Sequence, residues 1–289
     1  MQNFDFHTHT TASDGSLRPV ELIELAARQG ITTLAVTDHD TISGLDAACE
    51  AGKAMGITVI PGLEISIDFE PGTMHLCGYF IDTTNQALKN GLKIVQEARE
   101  KRNPRIIEKL NEMGIDITLE EVNAEVGTSR AGRPHFAKVL LEKGYVNSIQ
   151  QAFDSYLAKG APCYVNKMRL KKAEAIALII ASGGIAVLAH PIQLKLSTPV
   201  EYRAVFSELK ALGASGIEAY SSYHTNQENM LFKSLAEELD MLVTGGSDFH
   251  GATKPNVKPG VFGDDVRIDL NRLLKKMNTR TVQSLNQNY

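Results

Sequence analysis

The stretch HTHTTASDG, residues 7–15, places His7 and His9 two positions apart after a short apolar run, Phe4-Asp5-Phe6, with Asp14 five residues beyond His9. Side chains at i and i+2 of an extended segment point to the same side, so both imidazoles face one way. Two nitrogen donors with a nearby carboxylate suit a divalent metal ion. A lone His-x-His pair carries little weight. Here the same residue types recur downstream at Asp38-His39, Glu64, His75, His190, and Asp248 with His250. Six imidazoles (His7, His9, His39, His75, His190, His250) and three carboxylates (Asp14, Glu64, Asp248) are too many donors for one ion. Nitrogen and oxygen donors without thiolate suit Mn, Fe or Zn, and two or three ions bridged by a carboxylate and a hydroxide fit the donor count. Such clusters activate water and hold a phosphate group through its oxygens. Asp38 is set apart as a residue that orients a neighbouring ligand. Taken singly, each position has a structural alternative: Asp248 as a helix N-cap, Asp14 as a turn residue before Gly15. Taken together, the nine positions argue for a metal centre.

Bringing these residues together requires strands that end on one side. Phe4–Phe6 reads as a strand. A helix opens at Arg18-Pro19, with Ser16 as its N-cap, and runs to Gln29 and the Gly30 stop. The apolar run Thr33–Thr37 ends at Asp38-His39, a helix spans Ser43–Met55, and the strand Ile57–Ile60 leads to Glu64. Met74–Phe80 is a fourth strand and holds His75. From 98 to 166 the sequence turns helical and polar, and contains Arg99, Lys101, Arg102, Arg105, Arg130 and Arg133. Alternation then resumes. Helices over 170–181, 200–212 and 227–239 precede strands over 184–189, 216–220 and 241–245, with His190, His224, and Asp248 with His250 beyond them. This pattern predicts an α/β fold with a parallel sheet, and seven strands favour a barrel. In such barrels the C-terminal strand ends share one face, where sites are built. The barrel is expected to comprise residues 1–97 and 167–289, with 98–166 as an inserted small helical subdomain.

Composition narrows the function. A hydrophobic content of 43% with 22% charged residues describes an ordinary globular chain able to bury a core, and a net charge of −4 argues against broad binding to duplex DNA. The cysteines, Cys49, Cys77 and Cys163, are far apart, as in reduced cytoplasmic proteins. MQNFDFHTHT lacks the features of a signal peptide. The longest uncharged apolar stretch, Ala175–Ala189, is interrupted by Ser182-Gly183-Gly184 and is too short to span a bilayer. A cytoplasmic enzyme with no membrane partner is expected.

At these residues the chain resembles the PHP (polymerase and histidinol phosphatase) family of metal-dependent phosphoesterases. The matching motifs are HTHTTASDG, TDHDT around His39, PGLEIS around Glu64, MHLCGY around His75, AHP at His190 and GSDFH at Asp248. The resemblance implies a distorted (β/α)7 barrel and a site for three divalent ions, manganese first, with iron or zinc also compatible. It would place His7, His9, Glu64 and Asp248 on one ion and Asp14, His39 and His250 on a second. Glu64, His75 and His190 would hold the third, with Glu64 bridging. SRAGRPHFA, 129–137, and EAYSSYHT, 218–225, further resemble a subgroup acting on 3′,5′-nucleoside bisphosphates, such as phosphoadenosine phosphate, and on short 5′-phosphorylated RNA.

The resemblance implies hydrolysis of the 3′-phosphate by a metal-bridging hydroxide attacking phosphorus. Arg130, Arg133 and His135 would bind the substrate phosphate, arginine being suited to it by its forked donors. His224 would bind phosphate or protonate the leaving group. Arg99, Lys101, Arg102 and Arg105 read instead as a solvated helical face. Three rivals are a histidinol-phosphate phosphatase, a polymerase proofreading module, and a non-catalytic phosphate-binding domain. The first lacks a reason for the arginine-bearing insert, the second a polymerase-length extension, and the third predicts missing ligands.

Overall fold

The computed structural model describes residues 2–125, 131–166, 169–264, 266, 268 and 273–275. Its chain order begins β1 (Phe4–Asp5), α1 (Pro19–Arg28), β2 (Thr33–Val36), α2 (Leu45–Met55), β3 (Thr58–Ile67) and β4 (Met74–Tyr79). A helical region follows: α3 (Gln86–Glu112), α4 (Leu119–Ala124), α5 (Arg133–Glu142) and α6 (Ile149–Ala152). It closes with α7 (Lys172–Ala181), β5 (Ile185–Leu188), α8 (Pro199–Ala211), β6 (Gly216–Ser221), α9 (Asn226–Glu238) and β7 (Leu242–Gly246). The seven strands pair in sequence order. An isolated bridge between Thr8 and Phe249 brings the two edges together, so the sheet is a nearly closed barrel.

Two strands depart from the expected pattern. β3 does not stop at Ile60 but continues through Pro61 and Gly62 to Ile67, so Glu64 lies within it. β4 runs antiparallel to both β3 and β5. The cause is the connection: residues 68–73 are too few for the crossover that parallel neighbours need, which takes a dozen or more. Reversal puts the first residues of β4 on the face where the other strands finish, and His75 is its second residue. Ser16 is not the cap of α1; that position belongs to Arg18, whose N–H donates to Glu21, while the Ser16 hydroxyl accepts the Ala252 N–H.

The core of the barrel and its helices is built from fully buried apolar residues such as Phe6, Leu34, Leu63, Leu76, Val187 and Ile217. α1 packs on it through Leu22, Ile23 and Ala26, one stripe at helical spacing. The helical region has a second core, in which Ile106, Leu110, Phe136, Leu140 and Leu157 meet. α3 serves both: its first turns bury Leu88, Leu92 and Val95 in the barrel core, its last turns Ile106 and Leu110 in the other. The expected boundary at 97/98 therefore falls inside one continuous helix. No described helix is long and apolar enough to cross a membrane.

Candidate metal centre

The strand ends fix the first pair of ligands. His7 and His9 follow β1, and both Nε2 atoms converge on the same two oxygens. His7 Nε2 lies 3.3 Å from Glu64 Oε2 and 3.3 Å from Asp248 Oδ1. His9 Nε2 lies 3.3 and 3.0 Å from those atoms. Gly246, at the end of β7, permits this approach: a Cβ there would sit 2.4 Å from His7 Cβ. Asp14 forms a second focus, with His250 Nε2 at 3.3 Å, His9 Nδ1 at 3.8 Å and His39 Nε2 at 3.9 Å. A third surrounds the other side of Glu64. His75 Nδ1 and His190 Nε2 lie 2.8 and 2.9 Å from Oε1, and His39 Nδ1 is 2.9 Å from Oε2.

Three sets of potential ligand atoms therefore lie within 4.8 Å of one another: His9, Asp14, His39 and His250; His7, His9, Glu64 and Asp248; and His39, Glu64 and His75. His190 is outside the third set, although it touches the same Glu64 oxygen as His75. Several of these atoms (His9 Nε2, His39 Nδ1, Glu64 Oε2, His75 Nδ1) are buried without a hydrogen-bond partner. Buried polar atoms without partners are costly. Divalent cations would satisfy them, and the nitrogen and oxygen donors fit such ions.

The electrostatics agree. Burial alone would raise the Glu64 pKa, but His39, His75 and His7 hold it well below the usual carboxylate range. Asp14, between His250 and His39, and Asp248, beside Lys254 and His250, are likewise held low against the effect of burial. Burial pushes His75 down to about 4 despite the Glu64 charge, and burial with the His9 charge pushes His250 to about 4. Both are thus neutral donors near pH 7. His9 goes the other way: burial opposes its charge, yet Asp248 and Glu64 raise it to about 9. Without a cation, a protonated imidazole balances these carboxylates.

Buried acids behind the ligands hold their backbone. Asp38 accepts from Thr10 N–H and hydroxyl at 2.8 and 2.7 Å and from the Ser13 hydroxyl at 2.6 Å, so it ties down the loop between His9 and Asp14. Asp5 accepts from the N–H groups of His7, Ser247 and Gly260. Sequence reasoning missed a pair at Asp248. Its Oδ2, turned away from His7 and His9, is 2.7 Å from both the Tyr223 hydroxyl and Lys254 Nζ. Tyr223 falls within EAYSSYHT, whereas no motif singles out Lys254.

The substrate-binding residues expected in the helical region are placed less uniformly. Arg130 lies outside the described residues. His135 is buried, and its Nδ1 accepts the Gly132 N–H at 3.0 Å. Burial lowers its pKa, partly offset by the Asp14 charge. Arg133 donates to the Leu157 carbonyl at 3.0 Å and lies over the Tyr164 ring. His224 belongs to none of the three sets. Its Nδ1 is 3.1 Å from the Ala219 carbonyl, its ring packs on Phe232, and its Nε2 is buried without a partner.

The expectation of a solvated face fails for two arginines. Lys101 and Arg105 are exposed, but Arg102 is only 5% exposed and Arg99 pairs with the buried Asp40, next to His39. Among the described residues no carboxylate pairs with Arg102; its guanidinium meets Asn103 Oδ1 at 2.7 Å. Burial, with the charges of Arg99, Arg133 and Arg169, pushes its pKa down to about 9. An anion would relieve this arrangement. Helical spacing alone could not reveal it, because the covering surface comes from distant segments.

A family model described as PHP domain matches residues 5–211. A 5′-3′ exoribonuclease of Haemophilus influenzae is 36% identical over 249 residues, covering 86% of this chain and 90% of that one. A 3′,5′-nucleoside bisphosphate phosphatase of Chromobacterium violaceum is 33% identical over 271 residues, covering 92% and 91%. A solved structure of an amidohydrolase from Chromobacterium violaceum, with bound sulfate and no metal, superposes with a TM-score of 0.88 at 30% identity over 96% of each chain.

Proposed function

Since the chain belongs to the PHP family, we propose that it is a metal-dependent phosphoesterase that removes the 3′-phosphate of 3′,5′-nucleoside bisphosphates and also trims short 5′-phosphorylated RNA from its 5′ end. One observation carries this reading: Glu64 stands between sets of imidazole and carboxylate donors, several of whose buried atoms lack hydrogen-bond partners. The relatives' phosphatase and exoribonuclease activities supply the substrate class.

Three divalent ions, manganese first among Mn, Fe and Zn, fit the donors. His7, His9, Glu64 and Asp248 would hold one, Asp14, His39 and His250 the second, and Glu64, His75 and His190 the third. When bound, such ions provide a water of lowered pKa and neutralise phosphate charge. The chain's own residues then divide the remaining work. Arg133 and His135, with Arg130, bind the phosphate remote from the reacting one, and Arg102, paired with no carboxylate among the described residues, adds a cation. Forked guanidinium donors suit phosphate oxygens. His224 donates through Nδ1 to the Ala219 carbonyl and burial lowers its pKa, so it would bind phosphate or protonate the leaving ribose oxygen through Nε2 only after that atom takes up a proton. Residues 98–166 act as the substrate-binding insert of a cytoplasmic barrel enzyme.

The test is a substrate panel on Mn-loaded protein, with phosphate and nucleotide products quantified. Phosphoadenosine phosphate should yield AMP and phosphate faster than histidinol phosphate is hydrolysed. Preference for histidinol phosphate, or no turnover of any phosphoester by metal-replete protein, would overturn the proposal.

A further inference from the structure

Glu218 is fully buried at the third position of β6, and nothing above gives it a part in the chemistry. Its carboxylate touches two of the nine ligand residues. Oε1 and Oε2 lie 3.0 and 3.2 Å from His7 Nδ1, and Oε2 accepts the His190 backbone N–H at 2.7 Å. A carboxylate only accepts, so the Glu218 contact keeps a His7 proton on Nδ1 and leaves Nε2 as the atom that would give up its proton to hold a cation. Nε2 is the atom facing Glu64 and Asp248. His190 has φ 25°, in the region a non-glycine residue rarely adopts, and its N–H bond to Glu218 holds it there. Space is tight: a Cβ on Gly246 would come within 2.9 Å of Glu218 Oε1, so the carboxylate has little room to turn.

We infer that Glu218 is a positioning residue for the metal centre, fixing the His7 tautomer from behind while anchoring the backbone that carries His190. It links ligands assigned to two different ions, so its removal should disturb both. The inference rests on the metal reading proposed above. A carboxylate hydrogen-bonded to the far nitrogen of a ligating histidine orients the ring and raises its donor strength.

Glu218→Gln makes the sharpest test because it keeps shape and removes one acceptor. Its amide oxygen is required by the His190 N–H, so its NH2 group faces His7 Nδ1. That donor stabilises the opposite tautomer, with a proton on Nε2 where a cation should sit. Thermal unfolding should show a folded protein. Mn(II) titration, read by the free-ion EPR signal, should show affinity reduced about ten- to a hundredfold. Unchanged affinity and stoichiometry in Glu218→Gln would overturn the inference. Should that variant fail to fold, 15N NMR of histidine-labelled wild-type protein loaded with Zn(II) decides: a proton on His7 Nδ1 supports it, one on Nε2 refutes it. Wild-type protein that takes up no Mn(II) would overturn the metal reading itself, a result separable from the first.

Discussion

The barrel face and the helical region beside it gather charged groups of opposite sign. On the barrel, the buried Glu64 and Asp248 and the half-buried Asp14 sit among six imidazoles, with donor atoms aimed at one another and several left without hydrogen bonds. In the helical region, Arg102 is buried near Arg99, Arg133 and Arg169, with no acid paired to it among the described residues. One side fits cations and the other an anion. On the barrel the cost lies in the donor atoms left without hydrogen bonds, and in the helical region in a buried charge without a paired acid. The folded framework that holds them supplies preorganisation for a ligand that brings the missing charge. The regions meet at Asp40, which accepts from Ser66 on β3 and pairs with Arg99 on α3.

The most severe way to separate the two is to remove a donor on the barrel side. His9→Ala or Asp248→Asn should lower kcat by more than about a thousandfold, as expected when one member of a unit is lost. Urea unfolding should still show a cooperative native state. Near-normal turnover in a metal-analysed variant would break the contrast.

The second test addresses the arginines. Arg102→Met should raise KM for a 3′,5′-bisphosphate about ten- to a hundredfold, the cost of one charge-assisted contact. The same change should leave the substrate-free protein as stable as before, or more stable by about 1 kcal/mol or more, because an unpaired buried charge is replaced by an apolar chain. A large loss of stability would mean the guanidinium is structural.

pH provides a third test. His9, at about 9 without a cation, is protonated at pH 7 and must lose that proton to donate to an ion. His7 is raised as well, so apparent Mn(II) affinity should rise by at least about tenfold per pH unit between 7 and 9. A flat profile in a pH-stepped titration would contradict the charge balance described. The smallest effect is expected at the junction. Asp40→Asn keeps a residue type that tolerates the φ of 54° but removes the charge facing Arg99. It should cost about 1–3 kcal/mol in urea unfolding.

The two regions were unequally legible. The candidate ligands on the barrel could be found because strands have a local signature and because a donor set is defined by residue type. His7 and His9 share a side through the period of an extended chain, and both meet Glu64 and Asp248. The arginines gave no such signal. Arg99 and Arg102 look like a solvated helix face until Asp40 pairs with the one and Arg133, Tyr164 and Arg169 come near the other. The direction of β4 was also hidden, since a run of apolar residues reads the same either way.

By itself, the sequence determined the donor types, the number of strands and the strand ends that carry His7, His9, Asp248 and His250, all consequences of local periodicity and side-chain chemistry. Only tertiary structure decided that β3 runs on past Glu64 and that β4 reverses. It alone buried Arg102 and set Glu218 behind His7, 211 residues away in the chain. Those features depend on contacts between distant segments, and a local pattern carries no record of which distant surface will cover it.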